Sequence, residues 1–225
     1  KYVNGQYTYA YKQEGKNTND VQWQDMTSDG WGVQLTDKSS TDAVTSKLCT
    51  YVNDKPIVSL AYMFRISSLS SATGASSFDL SSFNTSNVTD MRSMFSGAKA
   101  TTLDISNLDT SNVANMSYMF GNLKNVTSLD LSNLNTSNVT DMSGMFFATN
   151  TTYLNLSDFD TSKVTSMNKM FSHSKVTTLD LRNFDTSRVT DMSSMFESTN
   201  VTTLDLGNFD TSRVTDMSSM FESTN

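Results

Sequence analysis

A block of the form Val-x-x-Met-x-x-Met-Phe occurs six times in this chain. The copies are Val88/Met91/Met94/Phe95, Val113/Met116/Met119/Phe120, Val139/Met142/Met145/Phe146, Val164/Met167/Met170/Phe171, Val189/Met192/Met195/Phe196 and Val214/Met217/Met220/Phe221. Successive copies lie 25, 26, 25, 25 and 25 residues apart. A divergent seventh, Ile57/Leu60/Met63/Phe64, precedes the first by 31 residues, and the Ser/Ala/Gly-rich stretch 66–77 accounts for the excess. Residues 183–200 recur unchanged as 208–225. A period of this kind restricts the fold sharply. One copy cannot bury its apolar face alone, whereas stacked copies build a continuous, narrow core.

Within a block the apolar residues fall at i, i+3, i+6 and i+7, the spacing of one face of a short α- or 3₁₀-helix. Just upstream lies Asp/Asn-Thr-Ser, at Asn84, Asp109, Asn135, Asp160, Asp185 and Asp210, whose side chains can accept the free amides of a helix start. Before each of these runs an alternating segment, for example Leu103-Asp104-Ile105 or Leu179-Asp180-Leu181, with the period of a half-buried strand. The expected fold is therefore an α/β repeat solenoid of leucine-rich-repeat type. A parallel β-sheet would form one face and short helices the other, behind a β-rich N-terminal cap. Residues 1–56 would form the aromatic-rich capping region and 57–225 the solenoid. The methionine stripe reads as core, since thioethers fill irregular gaps and no His or Cys accompanies them as copper ligands.

Apolar residues are only 36% of the chain and the net charge is −7. That is too little apolar surface for a thick globule but enough for a thin stacked core. A sequence pI near 4.6 leaves no basic stripe for phosphate, so nucleic acid is not an expected partner. No apolar run reaches membrane-span length, so a transmembrane segment is not expected in the chain. The start at Lys1 carries no signal-like segment, and an export signal and anchor are expected outside it. The single cysteine, Cys49, excludes an internal disulfide framework and reads as a small core residue.

No catalytic motif emerges. The only histidine, His173, sits between blocks at an unrepeated position and reads as a surface or turn residue. There is no phosphate loop and no metal-ligand cluster, so neither a cofactor nor an enzyme activity is expected. Two sets of residues are candidates for binding. The first is the outward column of the alternating runs: Asp79, Asp104, Asp130, Asn155, Asp180 and Asp205. Like charges stacked one per rung repel, so the column should be relieved by hydrogen bonds to neighbouring Ser or Thr, by a basic partner, or by bound Ca²⁺. The second is the head, where Tyr7, Tyr9, Tyr11, Trp23 and Trp31 could form an aromatic platform for sugars. The competing reading of the head is closure of the open sheet end, which every solenoid needs.

The unit Leu-Asp-Leu-Arg-Asn-Phe-Asp-Thr-Ser-Arg-Val-Thr-Asp-Met-Ser-Ser-Met-Phe at 179–196 resembles the BspA-like leucine-rich-repeat surface proteins of lactobacilli, other Gram-positive bacteria and mycoplasmas. The likeness covers about residues 57–225. It departs from the family pattern in lacking Gly-Cys after the Phe, and in placing Asn107, Asn133, Asn183 and Asn208 one residue early. The resemblance implies a solenoid on the bacterial cell surface, extracellular, acting as an adhesin. Its implied partners are a host matrix protein, mucin or glycan, or another microbial surface protein. A structural spacer projecting another domain is the alternative, favoured by near-identical rungs. Ice binding is a third, weaker expectation, because the exposed strand columns carry charge.

Overall fold

The computed structural model of the protein describes residues 2–3, 6–7, 9–13, 31–35, 51–52, 54–66 and 74–224. Six strands open the chain: β1 (Tyr2–Val3), β2 (Gln6–Tyr7), β3 (Tyr9–Gln13), β4 (Trp31–Leu35), β5 (Tyr51–Val52) and β6 (Lys55–Ser59). β1 and β2 pair antiparallel, and the other four form a sheet in the order β3-β4-β6-β5. Only β4 and β6 run parallel there, Trp31 opposite Ile57 and Gly32 opposite Ser59, with a register shift between the two pairs. Val33 of β4 is buried and joins the same core as Ile57 and Leu60. β6 leads directly into the first repeat, because Ser59 bridges Asp90.

From there the repeats stack, but not as sheet plus helices. Among the described residues there is no helix, and beyond β4 and β6 the repeats meet through single-residue parallel bridges. One such line runs Ser59, Asp90, Asn115, Asp141, Ser166, Asp191, Asp216. A second joins Tyr153, Thr178 and Thr203. The expected α/β solenoid of leucine-rich-repeat type is therefore replaced by a stack of turns, each repeat one rung.

The Met-Phe block shows why no helix forms. In each block two residues four apart take positive φ: Ser93 and Gly97, Tyr118 and Asn122, Gly144 and Ala148, Lys169 and His173, Ser194 and Ser198. A left-handed residue cannot continue a right-handed helix and costs a non-glycine residue about 1–2 kcal/mol. It does close a turn when it stands third of four residues. Met94 accordingly donates to the Met91 carbonyl at 3.1 Å, and Ala98 to Phe95 at 2.9 Å. The amides between face the next rung instead. Met91, Ser93, Phe95 and Gly97 donate to the carbonyls of Asn115, Ser117, Met119 and Gly121 at 2.7–3.1 Å. The i, i+3, i+6 spacing that resembles a helix is thus the spacing of consecutive turns. The block is also rich in Ser and Thr, which are poor helix formers.

The alternating runs fail to become strands for a related reason. Their burial alternates as expected, with Leu103 and Ile105 inside and Asp104 outside. However, each Asp turns back on its own backbone: Asp104 Oδ1 accepts the Ser106 amide at 2.9 Å. A local bond of this kind competes with a ladder and ends the extended run after about three residues.

The Thr of the Asp/Asn-Thr-Ser copies from Thr85 to Thr186, read above as part of a helix cap, joins two rungs. Thr161 is 1% exposed; its hydroxyl donates to the Asp185 carbonyl at 2.9 Å and accepts the Asp185 amide at 2.8 Å. Thr110, Thr136 and Thr186 make the same pair of bonds to Asn135, Asp160 and Asp210. Three of the Asn residues one position early, Asn133, Asn183 and Asn208, serve the same end: Asn183 Nδ2 donates to the carbonyls of Leu156, Ser157 and Phe159 at 3.0–3.1 Å.

Inside the stack, Val, Met, Met and Phe of the blocks from Val88 to Phe196 are all 0% exposed. The Phe rings form a column, Phe95 to Phe120, Phe146, Phe171, Phe196 and Phe221, with centroids 5.7–6.1 Å apart and planes within 12°. That is offset stacking, the favoured arrangement of aromatic pairs.

Two substitutions test this account by urea denaturation. Phe146→Ala is expected to cost about 3–5 kcal/mol, the usual figure for a buried aromatic. Thr161→Val strands the Asp185 amide and carbonyl and is expected to cost about 1–3 kcal/mol, most of which Thr161→Ser restores.

Candidate functional site

The aspartate column lies on one face. Asp79, Asp104, Asp130, Asn155, Asp180 and Asp205 are all exposed. Each uses Oδ1 to accept the amide two residues on: Ser81 at 3.0 Å, Ser106 at 2.9 Å, Ser132 at 3.0 Å, Ser157 at 3.2 Å, Arg182 at 3.2 Å and Gly207 at 3.0 Å. This geometry fixes the side chains as an outward row, each tied to its own backbone two residues on.

The electrostatics follow from those bonds. The Ser81 hydroxyl, then its amide, holds Asp79 below the ordinary carboxylate value of 3.8, and Ser106 does the same for Asp104. Asp130 is lowered first by the Ser132 amide, while the charge of Asp104 pushes weakly the other way. Asp180 is lowered to about 2, chiefly by the Arg182 side chain. Arg182 Nη2 lies 2.6 Å from Asp180 Oδ2, and its Nε 2.9 Å from Oδ1. Two further turns in each rung repeat the pattern, as where Asp185 Oδ1 accepts the Ser187 amide and Asp191 Oδ1 the Ser193 amide, both at 2.9 Å.

Beside the column, between the rungs of Phe171 and Phe196, lies a groove of about 510 Å³. Tyr153, Asn155, Thr178, Asp180, Arg182 and Asn183 are among the residues that line it. Tyr153 is 64% exposed, the largest exposure of any big apolar side chain in the described residues. The column residues Asn155 and Asp180 therefore meet an aromatic ring that the sequence reading passed over. The signal was present: in the aligned rungs the equivalents of Tyr153 are Thr102, Ser128, Thr178 and Thr203.

The head candidates are less fully placed. Tyr7 lies in β2, Tyr9 and Tyr11 in β3 and Trp31 in β4, with Tyr9 opposite Leu35, Tyr11 opposite Val33 and Trp31 opposite Gln13. Their side chains, together with Trp23 and Cys49, lie outside the described residues. His173 is exposed in a left-handed turn, its ring edge-on to Phe147 at 5.7 Å and its Nε2 3.9 Å from Glu197 Oε1. Among the described residues, no group of three or more His, Cys, Asp or Glu could hold a metal ion, and no helix is long and apolar enough to cross a membrane.

The stacked rungs coincide with a known repeat. The family described as "Mycoplasma protein of unknown function, DUF285" matches residues 58–180 and again residues 122–225. The chain belongs to that family. Both matches fall on the rungs, so the DUF285 unit corresponds to the stacked turns with their Asp column rather than to the head strands. No curated protein and no solved structure matches the chain.

A pH dependence follows. Asp79, Asp104, Asp130 and Asp180 titrate lower in the folded chain than in the unfolded one, so the unfolded state binds more protons in acid. Their stabilising contribution is full above about pH 5 and is lost as pH falls through the depressed values, ending near 2 for Asp180. The melting temperature of this DUF285 chain is expected to stay level from pH 7 to 5 and to fall steadily between pH 4 and 2.

Proposed function

We propose that the chain is a non-enzymatic binding module displayed on the outside of a bacterial cell. Within the DUF285 assignment, we read it as one of the related BspA-like surface proteins. On this reading it is an adhesin module, and its partner is a host matrix protein, a mucin or other glycan, or another microbial surface protein.

The observation that carries this reading is the aspartate face. Each rung from Val88 to Phe196 commits its Val, Met and Phe side chains to the core and its buried Thr to the neighbouring rung. The column side chains are left outward, at a fixed repeat, each held by hydrogen bonding to the residue two positions on. A rigid, periodic polar face presents contacts with little ordering cost on binding. Catalysis would instead need groups with matched, perturbed protonation converging on a substrate. The near-identical rungs also support the spacer reading, in which the stack only projects another domain.

Capture of immobilised matrix proteins and mucins by the whole chain separates these. The chain is expected to retain at least one of them, and the variant with Asp79, Asp104, Asp130, Asp180 and Asp205 all replaced by Asn to bind it at least about tenfold more weakly. Asn keeps the Oδ1 acceptor of each turn, so the fold is preserved while the charge is removed. Added salt should weaken the wild-type interaction if the partner is basic. Undiminished binding by the variant would remove the column from the contact surface, and retention of nothing would leave the spacer.

A further inference from the structure

The repeat supplies its own control, because each position can be compared with its copies in the other rungs. On the aspartate face three positions matter. The residue before the first leucine is Thr102, Ser128, Tyr153, Thr178 or Thr203. The column itself is Asp in every rung but one, where it is Asn155. Two residues further on stand Ser81, Ser106, Ser132, Ser157, Arg182 and Gly207. The departures that bring in a new functional group are thus Tyr153, Asn155 and Arg182, and all three line the one groove. Gly207, the remaining departure, removes a side chain one rung beyond. In a stack whose last rungs are copies of each other, convergence of the odd residues on one hollow marks a site.

We propose that this groove binds a neutral pyranoside, an uncharged stretch of a glycan chain. The inference rests on the surface-binding reading above and names the ligand class of that same face. Tyr153 offers an exposed ring whose negative face attracts the positively polarised C–H groups on one side of a pyranose. Around it the groups suit hydroxyls. Asn155 has its Oδ1 engaged by the Ser157 amide, so it presents its NH₂ as donor. Asp180 accepts, and Arg182, locked to it through two hydrogen bonds, keeps the carboxylate oriented and supplies further N–H donors. The wall is stiff, because Asn183 ties three carbonyls of the rung beneath. A volume of about 510 Å³ lies within the usual range for small-molecule sites. A second hollow of about 370 Å³ continues along Asp180, Arg182, Thr203 and Asp205, so a chain of sugars can run across the rungs. Acidic sugars are disfavoured by the flanking carboxylates and by the net charge of −7.

Saturation-transfer NMR on the whole chain tests the proposal with lactose, N-acetyllactosamine, chitobiose and mannobiose as neutral probes, and 3′-sialyllactose as the acidic one. At least one neutral probe is expected to receive saturation. The effect should fall at least about tenfold in Tyr153→Thr and measurably in Arg182→Ser. Both replacements install residues that neighbouring rungs already carry, so their melting temperatures should match wild type. Saturation of none of the neutral probes, preference for sialyllactose, or an undiminished signal in Tyr153→Thr would overturn the site. If the chain still captures a matrix protein or mucin in any of those cases, only the groove assignment fails. If it captures nothing, the surface-binding reading fails with it.

Discussion

A chain made of turns has backbone amides that no helix or continuous sheet can satisfy, and here the next rung satisfies them. Alternate amides of the Met-Phe blocks from Met91 to Phe196 donate along the stack, while those between close turns within the rung. Buried polar backbone groups must find partners, so this exchange is the condition on which the narrow core exists. The last described rung shows the dependence. Phe196, with a rung on both sides, is 0% exposed, whereas Phe221 and Met217 are 50% and 44% exposed. A rung is thus completed by its neighbour, as in other quasi-one-dimensional architectures.

The composition that looks too polar for a folded chain follows from the same constraint. Thr161 and its equivalents are buried because their hydroxyls stand in for ladder hydrogen bonds, while the exposed Asn183 and Asn208 use their amides to collect carbonyls that turns leave open. Asp and Ser close turns at three corners of each rung. Few polar side chains are decoration. Those that remain outward, chiefly the aspartate column and its flanks, form a uniform face on which any departure is conspicuous. Tyr153 and Arg182 acquire meaning only against that background.

Much of this was legible in the chain itself. The period, the stacking, the residues of the core and the outward direction of Asp79 to Asp205 all follow from spacing and alternation. The helix did not follow, because apolar residues three and four apart serve a run of i→i+3 turns as well as a helix. Backbone sign at Ser93, Tyr118 or Lys169 is invisible in residue types that rarely adopt positive φ. Nor did the strands extend, since the Asp read as a strand residue takes up an amide two positions on. The column was visible residue by residue, but the groove was not, because Tyr153 and Arg182 lie 29 residues apart in sequence and meet only when two rungs stack.

By itself, the sequence determined that equal units must stack, which side chains they bury and which charges they leave outside, since hydrophobic periodicity and residue type settle those choices. Only the tertiary structure decided the backbone path within a rung and the hollow between rungs. Both depend on hydrogen bonds to residues about 25 positions away, and a local pattern carries no information about whether a given amide will bond within its own turn or across to the next.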